Sequence, residues 1–140
     1  MSYFTRTLRQ AGLSLALVAA VTAPALAAPP DPVVVKELMT KALDVPGKEV
    51  LMITVDYAPG AADPVHRHDA AAFVYVLEGS IVMGVKGGKE QTLGPGEIFY
   101  EGPHDLHTVG RNASKTKPAK FVVFLVKDKG KAFFTPVKHP

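Results

Sequence analysis

The chain contains no cysteine and no tryptophan. Without cysteine there are no disulfide staples, thiolate zinc sites, Fe–S clusters or thiol nucleophiles. Any metal must then sit on histidine, carboxylate or backbone oxygen. Without tryptophan there is no indole platform on which a sugar or a base could stack. A strong charge of one sign is missing too. The formal net charge is +3, and two of the 16 Lys and Arg, Arg6 and Arg9, lie in an N-terminal segment with the form of a cleaved leader. The other 14 face 13 Asp and Glu, so nothing electrostatic points to nucleic acid. Long windows with a clean 3.6-residue period, internal repeats and low-complexity tracts are also absent.

What is present is a chain of 140 residues, 47% apolar and 21% charged, which fits one packed domain rather than a disordered segment. Gly and Pro, at 12 each, suit a turn-rich β protein better than a helical bundle. Residues 1–27 read as a secretory signal peptide. Arg6 and Arg9 form the positive end, Leu13–Val21 the apolar stretch, and Ala25-Leu26-Ala27 a small-x-small cleavage site before Ala28. The apolar run is too short for a spanning helix and ends near Pro24, so no stable membrane anchor is expected after cleavage. The leader has bacterial form, which predicts a periplasmic or secreted mature chain over residues 28–140.

Short β-rich runs alternate with turn signals through the mature chain. Val33–Leu38 reads as a strand, with a short helix through Leu43 as the alternative. Further strands are expected over Glu49–Ala58, Phe73–Leu77, Ser80–Lys86, Lys89–Leu93, Ile98–Tyr100, Leu106–Arg111, Phe121–Lys127 and Ala132–Thr135. Gly87-Gly88 reads as a two-residue hairpin turn. Eight or nine short strands at this spacing predict an all-β sandwich or barrel.

Four of the five histidines fall into two groups. His66-Arg67-His68 places two imidazoles on one face of a strand, about 7 Å apart at Cα. His104-Asp105-Leu106-His107 lies on a later strand and the loop leading into it. Adjacent strands in one barrel would let three imidazoles converge, a donor set that zinc, iron, manganese, nickel and copper all accept. An HxH alone is a weak signal, because surface strands carry one by chance.

The spacing from Gly60 to Asn112 resembles the two motifs of the cupin superfamily. Gly60, five residues, His66-Arg67-His68 and then Gly79 match the first motif. Gly96, the loop at Pro103, His107 and Asn112 match the second. The resemblance implies a single small double-stranded β-helix, the jelly-roll or cupin barrel. It also implies one divalent metal, with His66, His68 and His107 as ligands and iron, manganese, nickel or zinc as the ion. Two departures stand out. The motif's glutamate falls at Ala72, and Asn112 comes one place late, with Arg111 at the expected position. A three-histidine site is therefore the expectation. Glu97 and Glu101 flank the second motif, and neither is favoured by spacing as a replacement carboxylate.

Other residues carry weaker expectations. His104 is a fourth ligand, a proton shuttle or a solvated loop residue, and is the one catalytic candidate. Met83 and Phe99 are candidates for a substrate pocket. His139 reads as a tail residue, and Asn112-Ala113-Ser114 as an unused glycosylation sequon. A homodimer is expected, with the N-terminal strand and Phe121–Val126 as contacts. Fold does not fix function. A metal-dependent oxygenase, isomerase or lyase acting on a small molecule, a non-catalytic binding module and a metal-free barrel all remain open.

Overall fold

The computed structural model describes residues 31–138; the segment 1–27 expected to be a leader, and His139, lie outside them. Ten strands and no helix are present among the described residues. In chain order these are β1 (Val33–Ala42), β2 (Lys48–Tyr57), β3 (His66–Arg67), β4 (Ala70–Glu78) and β5 (Ile81–Val85). Then come β6 (Gln91–Leu93), β7 (Ile98–Glu101), β8 (His107–Asn112), β9 (Ala119–Asp128) and β10 (Thr135–Pro136). They form two five-stranded sheets, in the orders β1-β2-β9-β4-β7 and β10-β3-β8-β5-β6. Every paired neighbour is antiparallel. This is the all-β, two-sheet barrel expected from the sequence.

The period-2 alternation of the sequence builds the core. On β2 the inward residues are Leu51, Ile53, Val55 and Tyr57. Leu51, Ile53 and Val55 stand opposite Leu125, Val123 and Phe121 of β9, which in turn stand opposite Ala72, Val74 and Val76 of β4. Ile81, Met83 and Leu93 close the core from the second sheet. Tyr57 meets Phe121 edge-to-face, with centroids 5.1 Å apart.

The first segment is the expected strand, not the alternative helix, and it runs on to Ala42 with a bulge between Glu37 and Met39. It forms one edge of its sheet and is largely exposed. Two other local expectations change. Gly87-Gly88 is not a two-residue hairpin. The last β5–β6 pair is Met83 with Gln91, and a turn closed by Gly88 N–H donating to Val85 O lies inside a longer connection. Val85 and Lys86 continue along the β8 edge, with Lys86 N–H donating to Leu106 O, and β6 rejoins the sheet only at Gln91. The Phe121–Val126 run is an interior strand flanked by β2 and β4. Its backbone is therefore taken, and Phe124 is its large exposed side chain.

Two motif residues are structural. Gly79 has φ of +70°, and a Cβ there would lie 2.4 Å from Pro118 O, so only glycine fits. Asn112 is buried. Its Nδ2 donates to the carbonyls of Tyr57, Ala58 and Lys117, while Oδ1 accepts from Ser114 N–H. That clamp joins β2, β8 and the loop before β9, and it leaves the sequon nitrogen no freedom. Asn112→Ala is expected to cost about 3 kcal/mol, since several polar groups lose their partner at once. Urea unfolding checks this: a loss below about 1 kcal/mol would show that water replaces the clamp.

Candidate metal centre

The site forms where the sheet alternation turns polar. His66 on β3 stands directly opposite His107 on β8. His68 follows two residues after His66 on the same face, as extended backbone requires. His107 owes its orientation to a bulge. Val109 pairs with Gly84 and His107 with Val85, which leaves Thr108 as an extra residue on β8. His107 and Asn112 both end up buried although strict alternation puts them on opposite faces.

A fourth group comes from β7. Glu101 is buried and is the cross-strand partner of Ala72. The carboxylate absent from position 72 is thus supplied one strand away, where side chains lie about 5 Å apart. Sequence reasoning did not single it out. The available signal was parity: Phe99 and Glu101 share one face of a short strand, and Phe99 is a core residue.

The ligand-type atoms of His66, His68, Glu101 and His107 all lie within 4.8 Å of one another. His66 Nε2 is 3.1 Å from His68 Nε2 and 3.2 Å from His107 Nδ1. Glu101 Oε2 is 3.1 Å from His107 Nδ1 and 3.7 Å from His68 Nε2.

Protonation decides what this cluster needs. Nδ1 of His66 faces the carbonyl of Pro64 at 2.8 Å, and Nδ1 of His68 faces the carbonyl of Phe133. A carbonyl only accepts, so each Nδ1 carries the proton and each Nε2 presents a lone pair. Two lone pairs 3.1 Å apart repel unless a cation sits between them. A proton is a poor choice, because burial pushes the pKa of both imidazoles down. A divalent metal suits the donor set, and carbonyl-anchored imidazoles are the usual form of metal-ligating histidine.

The Val109 backbone is the polar neighbour outside the cluster at His107. Phe99 stacks behind it with centroids 6.3 Å apart, and its Nε2 is buried without a hydrogen-bond partner. Burial, followed by the neighbouring His66, pushes its pKa down to about 3. Burial, followed by Asp105 and Asp63, pushes Glu101 up to about 8. The Glu101–His107 contact in the metal-free protein is therefore a hydrogen bond between neutral groups, not an ion pair. A dication among these groups reverses both trends.

A cavity of about 50 Å³ opens onto the cluster. A water needs about 10–15 Å³ by the same measure, so a handful of non-hydrogen atoms fit. Its other walls are mainly apolar, with Val55, Val74, Met83, Phe121, Phe133 and Phe134 among them. Asp63 also lines it and accepts a hydrogen bond from Tyr57 Oη. A Cβ on Gly110 would lie 3.1 Å from both Asp63 Oδ2 and His107 Cε1, which places the Tyr57–Asp63 pair beside the cluster. Neither residue stood out in the sequence.

The structure thus brings His66, His68 and His107 together. Met83 lies on the cavity wall, and Phe99 lies behind His107 rather than on that wall. His104 is exposed and does not line the cavity; its carbonyl accepts from Arg67.

The Cupin_2 family, described as a cupin domain, matches residues 53–125, just over half of the chain. The chain belongs to this cupin family. Among solved structures, this cupin is similar to the DMSP lyase DddQ from Ruegeria pomeroyi DSS-3. The identity is 23% and the TM-score 0.54, over 59% of this chain and 41% of that one. It is also similar to recombinant oxalate oxidase in complex with glycolate, at 27% identity and TM-score 0.58, over 76% of this chain and 56% of that one. The polyketide cyclase RemF from Streptomyces resistomycificus gives 20% identity and TM-score 0.59, over 78% and 73% of the two chains. This cupin spans about half the length of the first two. A comparison with curated proteins finds no match.

Proposed function

We propose that this cupin is an exported metalloprotein that holds one divalent ion on His66, His68, His107 and Glu101 and acts on a small molecule. The carrying observation is the facing pair of imidazole lone pairs at the mouth of a small, mainly apolar cavity. Once bound, the ion supplies Lewis acidity or a redox centre. The chain's own groups do the rest. Pro64 and Phe133 fix the tautomers of two ligands, the apolar walls exclude water, and Asp63 is the titratable group on the wall outside the cluster. An oxygenase, isomerase or lyase fits this arrangement. The neighbours named for an oxidase, a lyase and a cyclase support small-molecule chemistry without choosing among these classes.

A second reading, a binding module without turnover, follows from the ligand count where the ion is zinc. Four side chains saturate a tetrahedral zinc, whereas a six-coordinate iron, manganese or nickel keeps two positions for substrate. The proposal extends to cleavage after Ala27, a periplasmic or secreted location, and a homodimer. Exposed Phe73, Tyr75, Ile98 and Tyr100 on one sheet support the last of these.

Elemental analysis of the exported, untagged chain tests the centre. About one metal per chain is expected, with loss of that metal in a His66→Ala/His107→Ala variant. Intact mass and light scattering on the same sample check cleavage and dimerisation. Metal-free protein that stays empty after exposure to iron, manganese, nickel and zinc rules the metal reading out.

A further inference from the structure

The last described residues do not trail away from the barrel. After β9 the chain turns at Gly130, and Lys127 Nζ, from a buried side chain, holds the carbonyl of Lys131 at 2.7 Å. The chain then crosses to the second sheet. There β10 pairs with β3, Thr135 against Arg67 and Pro136 against His66, and Val137 N–H donates to Val65 O. On the way, the carbonyl of Phe133 takes the Nδ1 proton of His68. The ring of Phe134 stacks on His66, with centroids 4.2 Å apart and planes 27° apart. Both phenylalanines line the cavity.

We infer that this C-terminal strap, Ala132–Val137, is a working part of the metal centre, with Phe133 and Phe134 as positioning residues for His68 and His66. The inference rests on the metal reading above. Two of the four groups depend on the strap for orientation, one through a carbonyl and one through a stacked ring. Removing such outer partners typically weakens metal binding 10- to 100-fold, roughly. The strap itself is lightly held. Its ladder to β3 is two residues long, and Thr135 and Pro136 are exposed. A segment with so few contacts opens at low cost. Whatever factor strap docking adds to metal affinity, metal binding must add to strap docking.

The test uses Co²⁺, whose visible absorption reports its ligands, with the full mature chain, a variant lacking residues 132–140, and Phe134→Ala. Loss of Co²⁺ affinity by about 10-fold or more is expected on truncation, with a smaller loss for Phe134→Ala that Phe134→Tyr restores. Trypsin reads the reverse direction on intact protein, since cleavage after Lys131 releases Ala132–Lys138. Saturating Co²⁺ is expected to slow that release by the same factor that truncation costs in affinity. This arm stands even where the truncated chain fails to fold. Co²⁺ bound tightly by the full chain, with unchanged affinity in Phe134→Ala and unchanged release of the peptide, overturns the role of the strap and leaves the metal reading intact. Failure of the full chain to bind Co²⁺ overturns both.

Discussion

A saturating divalent ion should raise the Tm of the metal-free protein by about 15–30 °C, and should not move the Tm of the His66→Ala/His107→Ala variant. The size follows from linkage. At a thousand times Kd a ligand adds about 4 kcal/mol to the folded state, and each kcal/mol shifts a domain of this size by about 4–8 °C. The specificity follows from the geometry of the cluster. His66 Nε2 is the hub of the cluster, in contact with both other imidazoles. Removing it together with its cross-strand partner leaves His68 and Glu101, whose nearest atoms are 3.7 Å apart. Thermal melts with and without chelator decide the matter. An equal shift in wild type and variant would mean that the ion sits on surface carboxylates instead. No shift with any of iron, manganese, nickel, cobalt or zinc would mean that the barrel holds none of them.

The parts of this site that the sequence disclosed are those that local spacing can express. His66 and His68 share a face because strands alternate, and turn residues mark out the strands on either side. His107 came from the motif resemblance rather than from parity, because the extra residue Thr108 breaks the alternation on β8. Glu101 was visible beside Glu97 as a replacement carboxylate, and the choice between them was withheld for a topological reason. The partnership of Glu101 with Ala72 exists only because β7 pairs with β4 in antiparallel register, and no spacing along the chain encodes that pairing. The same holds for Tyr57 with Asp63 and for Phe134 over His66. Asn112 was legible as a motif position, while its work as a four-bond clamp required the loops to be in place. Strand existence was largely readable, whereas the ends were not: β1 and β9 run on because pairing continues into polar residues, β4 begins three alanines early, and the last strand lies at Thr135–Pro136 instead of Ala132–Thr135.

The metal-free protein is expected to be most stable between about pH 4.5 and 6.5 and to weaken on both sides, and Glu101→Gln is expected to remove the share of the alkaline loss that Glu101 carries while leaving the acid side unchanged. The signs can be worked out group by group. His107 moves from 6.5 down to about 3 on folding, so the unfolded chain binds more protons across that range and stability rises with pH. His66 and His68, also lowered, push the same way. Glu101 moves from 4.5 up to about 8, so the folded state binds more protons there and stability falls as pH rises through that window. Asp63, also raised by burial, has the same sign over its own range. Where the two windows overlap the effects oppose; above 6.5 the histidine effect has ended and Glu101 continues, at about 1.4 kcal/mol per pH unit. A bound dication inverts the alkaline arm, because it holds Glu101 ionised and makes metal binding release a proton. One substitution therefore carries two opposite effects: Glu101→Gln makes the metal-free protein more stable at pH 8 and the metal weaker at every pH. Urea titrations at pH 5.5 and pH 8, with and without the ion, measure both. A Glu101 kept for packing alone would leave the metal affinity unchanged. The opposed signs are what a site produces when its folded state is costly until the ion arrives.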